Sequence, residues 1–224
     1  MFNFETVALF SGLEPHAFDM IRASARQSRV AHAHYLFSEH EPATDLYILR
    51  SGWVRLVKLS GDGRQSVTRL VGPTEVAGMS TILDHGIYRL TAQTVTTCQI
   101  FTWGKRDLDE LVRRYPQISG NAIRLLSSYL DELQTQYIEL ATERVEQRIA
   151  HALIRIAERP GVQRVNERIV LVPLLQRDIA DLVGVTHYTV SRVLGDWRKQ
   201  ALITTGHARI EILDLQRLQA YAEL

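Results

Sequence analysis

The sequence predicts an α+β fold in three parts: a barrel of short strands, a long helix, and a C-terminal helix pair followed by a strand hairpin. Three observations predict it. Short alternating or β-branched runs crowd residues 34–101, an apolar residue recurs at steps of three and four from Ile123 to Leu140, and Leu174 to Ile203 carries two helical patterns separated by a glycine. Period two places side chains on the two faces of a strand, and steps of three and four keep them on one face of a helix.

The barrel rests on LYIL, WVRLVKL, SVTRLV and LTAQTVTTCQIF, broken by Ser51-Gly52, Gly61-Asp62-Gly63 and Gly72-Pro73. Several short strands with tight turns between them predict a jelly roll or small barrel, with Asp62-Gly63 as the strongest hairpin signal. Before it, Phe10 to Arg26 reads as a short helix in which Ser11 caps, Pro15 suits the first turn, and Phe18, Ile21 and Ala25 share a face.

After Lys105 the period becomes helical. Ile123, Leu126, Leu130, Leu133, Tyr137 and Leu140 occupy heptad a and d positions, flanked by Arg124, Asp131, Glu132 and Glu139. Such a line can stay buried against a partner helix in a two-stranded coiled coil, so these six residues are the expected dimer seam. The same pattern also suits one amphipathic helix lying on its own domain. Beyond Thr142 a further helix carries Val145, Ile149, Ala152, Leu153 and Ile156 and stops at Arg159-Pro160-Gly161, after which a linker or hairpin leads to Val172-Pro173. The expected division is residues 1–112 for the barrel, 113–141 for the long helix and 142–224 for the remainder.

Composition sets outer limits. The 224 residues are 46% apolar and carry a formal charge of +1, so the chain has material for a packed core and is no strongly basic coat protein. Up to Leu140 there are 14 basic and 15 acidic residues, and from Ala141 on there are 12 and 10, a difference too small to argue a partner alone. One cysteine, Cys98, permits no internal disulfide and no cluster of thiolates. No apolar run approaches the ~20 residues of a spanning helix, and the start MFNFETVALF lacks the positive region of a signal peptide, so a cytoplasmic chain is expected.

Function concentrates in LLQRDIADLVGVTHYTVSRVLGDWRKQALI. Leu175, Ile179, Leu182 and Val183 form one apolar face, and Gly184 permits the positive-φ turn at which two helices meet steeply. Thr186 can cap the second helix, in which Val190, Val193, Leu194 and Trp197 face inward and His187, Tyr188, Ser191, Arg192 and Lys199 face outward. A helix of this kind presents donors and acceptors to base edges, and Arg192 can give two parallel hydrogen bonds to guanine O6 and N7. Downstream, LITTGHARIEIL reads as two strands around Gly206, a wing whose His207 and Arg209 would meet the sugar-phosphate backbone.

QRDIADLVGVTHYTVSRVL followed by a wing resembles the DNA-binding domain of the cyclic-AMP-receptor/fumarate-nitrate-regulator (CRP/FNR) superfamily. The barrel and long helix are similar to that superfamily's cyclic-nucleotide-binding-like β-roll and dimerisation helix. The resemblance implies a homodimeric transcription regulator acting on an inverted-repeat operator with RNA polymerase as partner, and no enzyme. It places Arg192 and Ser191 at bases and Thr186 and Gln176 at phosphate. The glutamate that many members carry before the helix threonine is Tyr188 here, so the half-site should differ at that base pair.

The sensor end departs further. In VAGMSTILDHGIYRLTAQTV, Met79 stands where nucleotide-binding members have glutamate, and Arg89 is followed by Leu90 instead of a hydroxyl. Cyclic AMP is therefore not the expected effector, and a single cysteine excludes an iron–sulfur cluster. What remains resembles the cluster-free nitric-oxide and denitrification regulators (NnrR/DNR-like), through TVSR with a nearby tryptophan and through Tyr88, Thr91 and Ala92. That resemblance implies nitric oxide sensed through haem, with His16, His32, His34 and His85 as candidate axial ligands and His40 nearby. Two other readings stand beside it: a ligand-independent regulator of the same fold, and a cupin-like metal enzyme using His32, His34 and Glu39.

Overall fold

A computed structural model describes residues 2–59, 61, 65–83, 86–165, 168–171, 174–206 and 209–223. The Asp62-Gly63 hairpin signal, Val172-Pro173, His85 and His207 lie outside the described residues. The chain divides into two compact units, one of residues 1–65 and 69–131, the other of residues 66–68 and 132–224.

The first unit opens with two 3-10 turns, Phe4–Thr6 and Ala8–Phe10, before helix α1 at Pro15–Ser24. The helix expected from Phe10 begins five residues later, because Ser11 closes the second 3-10 turn and Gly12 follows at φ +73°. Pro15, whose ring fixes φ near the helical value, supplies the true start.

Strands β1 (Arg26–Val30), β2 (Tyr35–Phe37), β3 (Asp45–Ser51), β4 (Val54–Leu59), β5 (Gln65–Val71), β6 (Val76–Ala77), β7 (Thr91–Thr94) and β8 (Cys98–Gly104) form two four-stranded sheets. Their orders are β1-β8-β3-β6 and β2-β7-β4-β5. The four runs that announced the barrel are β3, β4, β5 and the pair β7 and β8, the last run being split at Val95–Thr97. At that split the Thr96 hydroxyl accepts the Trp53 N–H at 2.9 Å.

Two cores hold this unit. Between the sheets lie Phe37, Leu49, Val54, Tyr88, Ala92 and Ile100, and against the outer face of β8 lie Phe4, Phe10, Ile21, Trp103, Leu108 and Leu111. Trp103 is fully buried and its indole N–H donates to the Ile21 carbonyl at 3.1 Å. Burying side chains of this size contributes roughly 1.5–3 kcal/mol each, so the outer core ties the N-terminal turns to the sheet.

Helices α2 (Ser80–Leu83), α3 (Lys105–Arg114) and α4 (Gln117–Thr142) follow. The stretch predicted as one helix from 113 thus contains a break at Tyr115-Pro116, where proline cannot continue α3 and a new helix begins. At 26 residues, α4 is about 39 Å long. Ile118, Ala122 and Leu125 set one of its faces into the outer core. The heptad line lies one residue further round at Ile123 and Leu126, about 100° away, and all six of its members are 48–73% exposed. Ile138, outside the heptad line, is 60% exposed beside it.

The second unit contains α5 (Val145–Ala157), β9 (Gln163–Val165), β10 (Arg168–Leu171), α6 (Gln176–Val183), α7 (His187–Lys199), β11 (Ile203–Gly206), β12 (Arg209–Ile212) and α8 (Leu215–Ala222). The strands form one antiparallel sheet in the order β11-β12-β10-β9. Ile149, Leu153 and Ile156 of α5, Ile179 of α6, Val190 and Trp197 of α7 and Leu218 of α8 are all buried, as are Ile203, Ile210 and Ile212 of the sheet.

Gly184 closes α6 in the left-handed region, at φ 67° and ψ 43°, and the Val185 N–H returns to the Ala180 carbonyl at 3.0 Å. A Cβ at this position would strain the backbone and approach Leu140 Cδ1 to 3.3 Å. Gly184→Ala is therefore expected to destabilise by about 1–2 kcal/mol, readable as an earlier urea midpoint at unchanged slope.

Candidate nucleic-acid interface

Helix α7 owes its position to its apolar face. Val190, Val193, Leu194 and Trp197 are at most 2% exposed. At its N-terminus the Thr186 hydroxyl accepts the Thr189 N–H at 3.2 Å, satisfying a donor that the helix itself leaves free. On the opposite face His187, Tyr188, Ser191, Arg192 and Lys199 are exposed, with Tyr188 at 86%. A tyrosine so exposed contributes nothing to its own core, so its role lies in what it meets.

The remaining candidates are arranged around this face. Gln176 is the half-buried first residue of α6. Lys199 ends α7, and its ammonium sits 3.0 Å from the Asp196 carboxylate. Arg209 begins β12 opposite Gly206 and pairs with Glu211, which also faces Arg168 at 3.8 Å. The wing is thus the β11–β12 hairpin. A contact that sequence reasoning missed joins Arg192 to α5: its Nη2 donates to Glu146 Oε1 at 3.4 Å. Only the acidic first turn of α5 hinted at it.

The histidines of the first unit are dispersed. His16 lies in the first turn of α1, 3.7 Å from Glu14, while His32, His34 and His40 lie on loops; all four are exposed. None of these four side chains is buried, so no two of them face one another across a closed cleft. Nor do His32, His34 and Glu39 make a metal centre. The Glu39 carboxylate is engaged by the Lys58 ammonium and the Leu59 N–H, and among the described residues no three acidic, histidine or cysteine side chains converge.

The Lys58 hydrogen bond holds the Glu39 carboxyl below its ordinary pKa. A carboxyl depressed on folding stabilises the fold above its unfolded pKa and loses that contribution as pH falls through the folded value. The stability gap between wild type and Glu39→Gln is expected to close on acidification below the ordinary carboxylate range, as thermal melts at neutral and acid pH would read.

The residues at which the resemblance would expect a nucleotide's ligands make other contacts here. Met79 packs against the outer core, and the Arg89 side chain is exposed. Tyr88 stacks on Phe37 with ring centroids 3.9 Å apart, and its hydroxyl donates to the Asp45 carbonyl at 2.8 Å. Tyr47 also stacks on Phe37, at 5.7 Å. These residues do not fit a cyclic nucleotide bound by a Glu and Arg pair.

Comparison with known proteins gives this arrangement its class. Residues 147–221 match the Crp-like helix-turn-helix domain and residues 28–115 the cyclic nucleotide-binding domain. The transcriptional regulator LdrP of Thermus thermophilus is 31% identical over 195 residues, covering 87% of this chain and 95% of that one. The CRP-like cAMP-activated global transcriptional regulator of Mycobacterium tuberculosis is 29% identical over 210 residues, 94% of each chain. A CRP-family transcriptional regulator from Thermus thermophilus superposes at a TM-score of 0.72 with 29% identity, over 88% of this chain and 97% of that one. The protein is a helix-turn-helix transcription regulator and not an enzyme. It belongs to the CRP/FNR family.

Proposed function

We propose that the chain works as a homodimer in which the two α4 seams pair and each α7 enters the major groove of one half of an inverted repeat. The observation that carries this is the seam itself. Six apolar side chains in heptad register are at least 48% exposed on a helix that uses a different face for its own core. A monomer has no use for such a stripe, whereas a twin helix would cover it. Two-fold symmetry would then set the reading helices about 34 Å apart.

Within each half-site Arg192 reads guanine, while Ser191, His187 and Tyr188 lie over neighbouring bases. Gln176, Thr186, Lys199, Arg209 and His207 hold the backbone. Tyr188 gives no carboxylate to cytosine N4, so its base pair differs from that read by members with glutamate there. RNA polymerase is the partner through which such a dimer would act.

For the β-roll, two readings ask different things of its interior. Control by a small effector, nitric oxide through haem being the one implied by likeness to the cluster-free regulators, asks for a ligand cleft, and the surface positions of His16, His32 and His34 offer it no support. A roll kept for dimerisation and polymerase contact asks only for a packed interior, which Phe37, Tyr47 and Tyr88 supply. The interior favours this ligand-independent reading. Cys98, the chain's sole cysteine, is buried, in keeping with a cluster-free member.

Selection of bound duplexes from random DNA, done with the protein alone, with cyclic AMP, and with haem plus nitric oxide, tests both layers. The expected outcome is one inverted repeat enriched equally in all three arms. Enrichment only with an added effector would overturn ligand independence, and no enrichment in any arm would overturn the DNA-reading function.

A further inference from the structure

We propose that Glu146 is a specificity-determining positioning residue: its carboxylate holds the Arg192 guanidinium in the orientation that reads guanine. The inference rests on the reading of Arg192 as the base-contacting residue. Glu146 lies in the first turn of α5, and Arg192 lies on the exposed face of α7, 46 residues later. The fold of this unit brings the two side chains together at 3.4 Å between Nη2 and Oε1.

The geometry leaves the arginine competent. A guanidinium carries five N–H groups in one plane, and Glu146 engages one Nη2 hydrogen. The end formed by Nη1 and the second Nη2 hydrogen remains open, which is the end a guanine takes when it accepts at O6 and N7 together. An arginine already tethered on one side loses less side-chain freedom when it docks, and its plane is set before the base arrives.

Stability does not explain the pair. The two side chains are 62% and 40% exposed, and ion pairs that open to solvent contribute little to folding. The positive end of α5 accounts for an acid in its first turn, but not for an acid aimed at the reading arginine. A carboxylate beside a phosphate-bearing ligand also has a cost: it repels every duplex, and the repulsion is offset only where Arg192 finds its guanine. Such an element lowers affinity for wrong sequences more than for the right one.

The test uses the full-length protein and the duplex recovered by selection, the same duplex with the guanine opposite Arg192 replaced, and a scrambled duplex. Glu146→Ala should leave the thermal midpoint unchanged and raise affinity for the scrambled duplex. Discrimination at the Arg192 base pair should fall about three- to tenfold, with discrimination at other positions intact. Glu146→Gln, which keeps an oxygen acceptor without the charge, should retain most of that discrimination while still binding scrambled DNA more tightly. If Arg192→Ala relaxes that base pair but both Glu146 variants discriminate like wild type, the positioning role is wrong and the reading role stands. If Arg192→Ala itself leaves the base pair equally preferred, the reading role fails and the positioning role with it. A uniform loss across all duplexes for Glu146→Ala, with a lowered thermal midpoint, would make Glu146 a fold contact and overturn the proposal.

Discussion

Leu126→Lys combined with Leu133→Lys is expected to give a folded monomer that has lost operator affinity by about 10²- to 10⁴-fold, the scale of what joining two binding modules adds. Both side chains are about half exposed in the single chain, at 48% and 55%, so the substitutions remove little from its own core. Surface changes of this kind usually alter folding stability by no more than about 0.5 kcal/mol. Paired with a twin, the same positions would be knobs in a dry seam, where a buried ammonium is strongly disfavoured. Sedimentation should show the variant at half the wild-type mass with an unchanged circular dichroism spectrum. A variant that stays dimeric with full operator affinity would mean that this stripe is not the interface.

Arg192→Ala carries the second large effect. A bidentate contact to guanine discriminates by about 1–3 kcal/mol, so the variant should lose about five- to 150-fold per half-site at the selected operator and cease to prefer guanine at one base pair in each. Its affinity for scrambled duplex should change far less. Arg209→Ala is the control: Arg209 opens β12 beside Glu211, and if it meets the backbone as proposed, its loss should weaken all duplexes alike and lower the salt slope by about one per chain. Competition binding against operator variants separates the two. Equal losses on every duplex for Arg192→Ala would mean that another edge of α7 reads the bases.

Both expectations are legible in the sequence because they depend on local periodicity. The inward set of α7 and the Gly184 turn follow from helical spacing and from the residue type that takes positive φ without strain, and the expected seam follows from a strict heptad. What escapes sequence reading has equally physical causes. Strand β1, RQSRV, carries no apolar alternation because it is an edge strand exposed along nearly its whole length, and β6 is only two residues long. The start of α1 falls later than expected because Ser11 has the chemistry of a helix cap but serves a 3-10 turn.

Tertiary placement is least legible. Histidine content suggests candidate haem ligands but not where they lie, and His16, His32 and His34 lie on the surface. The Glu146–Arg192 contact spans 46 residues and joins two helices, so beyond the acidic first turn of α5 no local pattern points to it. Sequence reading marks Met79 as a departure from the pattern that the resemblance expects, but not that its side chain joins the outer core or that Phe37 and Tyr88 stack within the roll.

The measurement that bears most directly on the central claim is the stoichiometry and spacing of the complex. Full-length protein bound to its selected duplex should form two chains per duplex, protecting two inverted half-sites whose centres lie one helical turn, about 34 Å, apart. One chain on one unrepeated site, or two half-sites bound independently at any spacing, would contradict it.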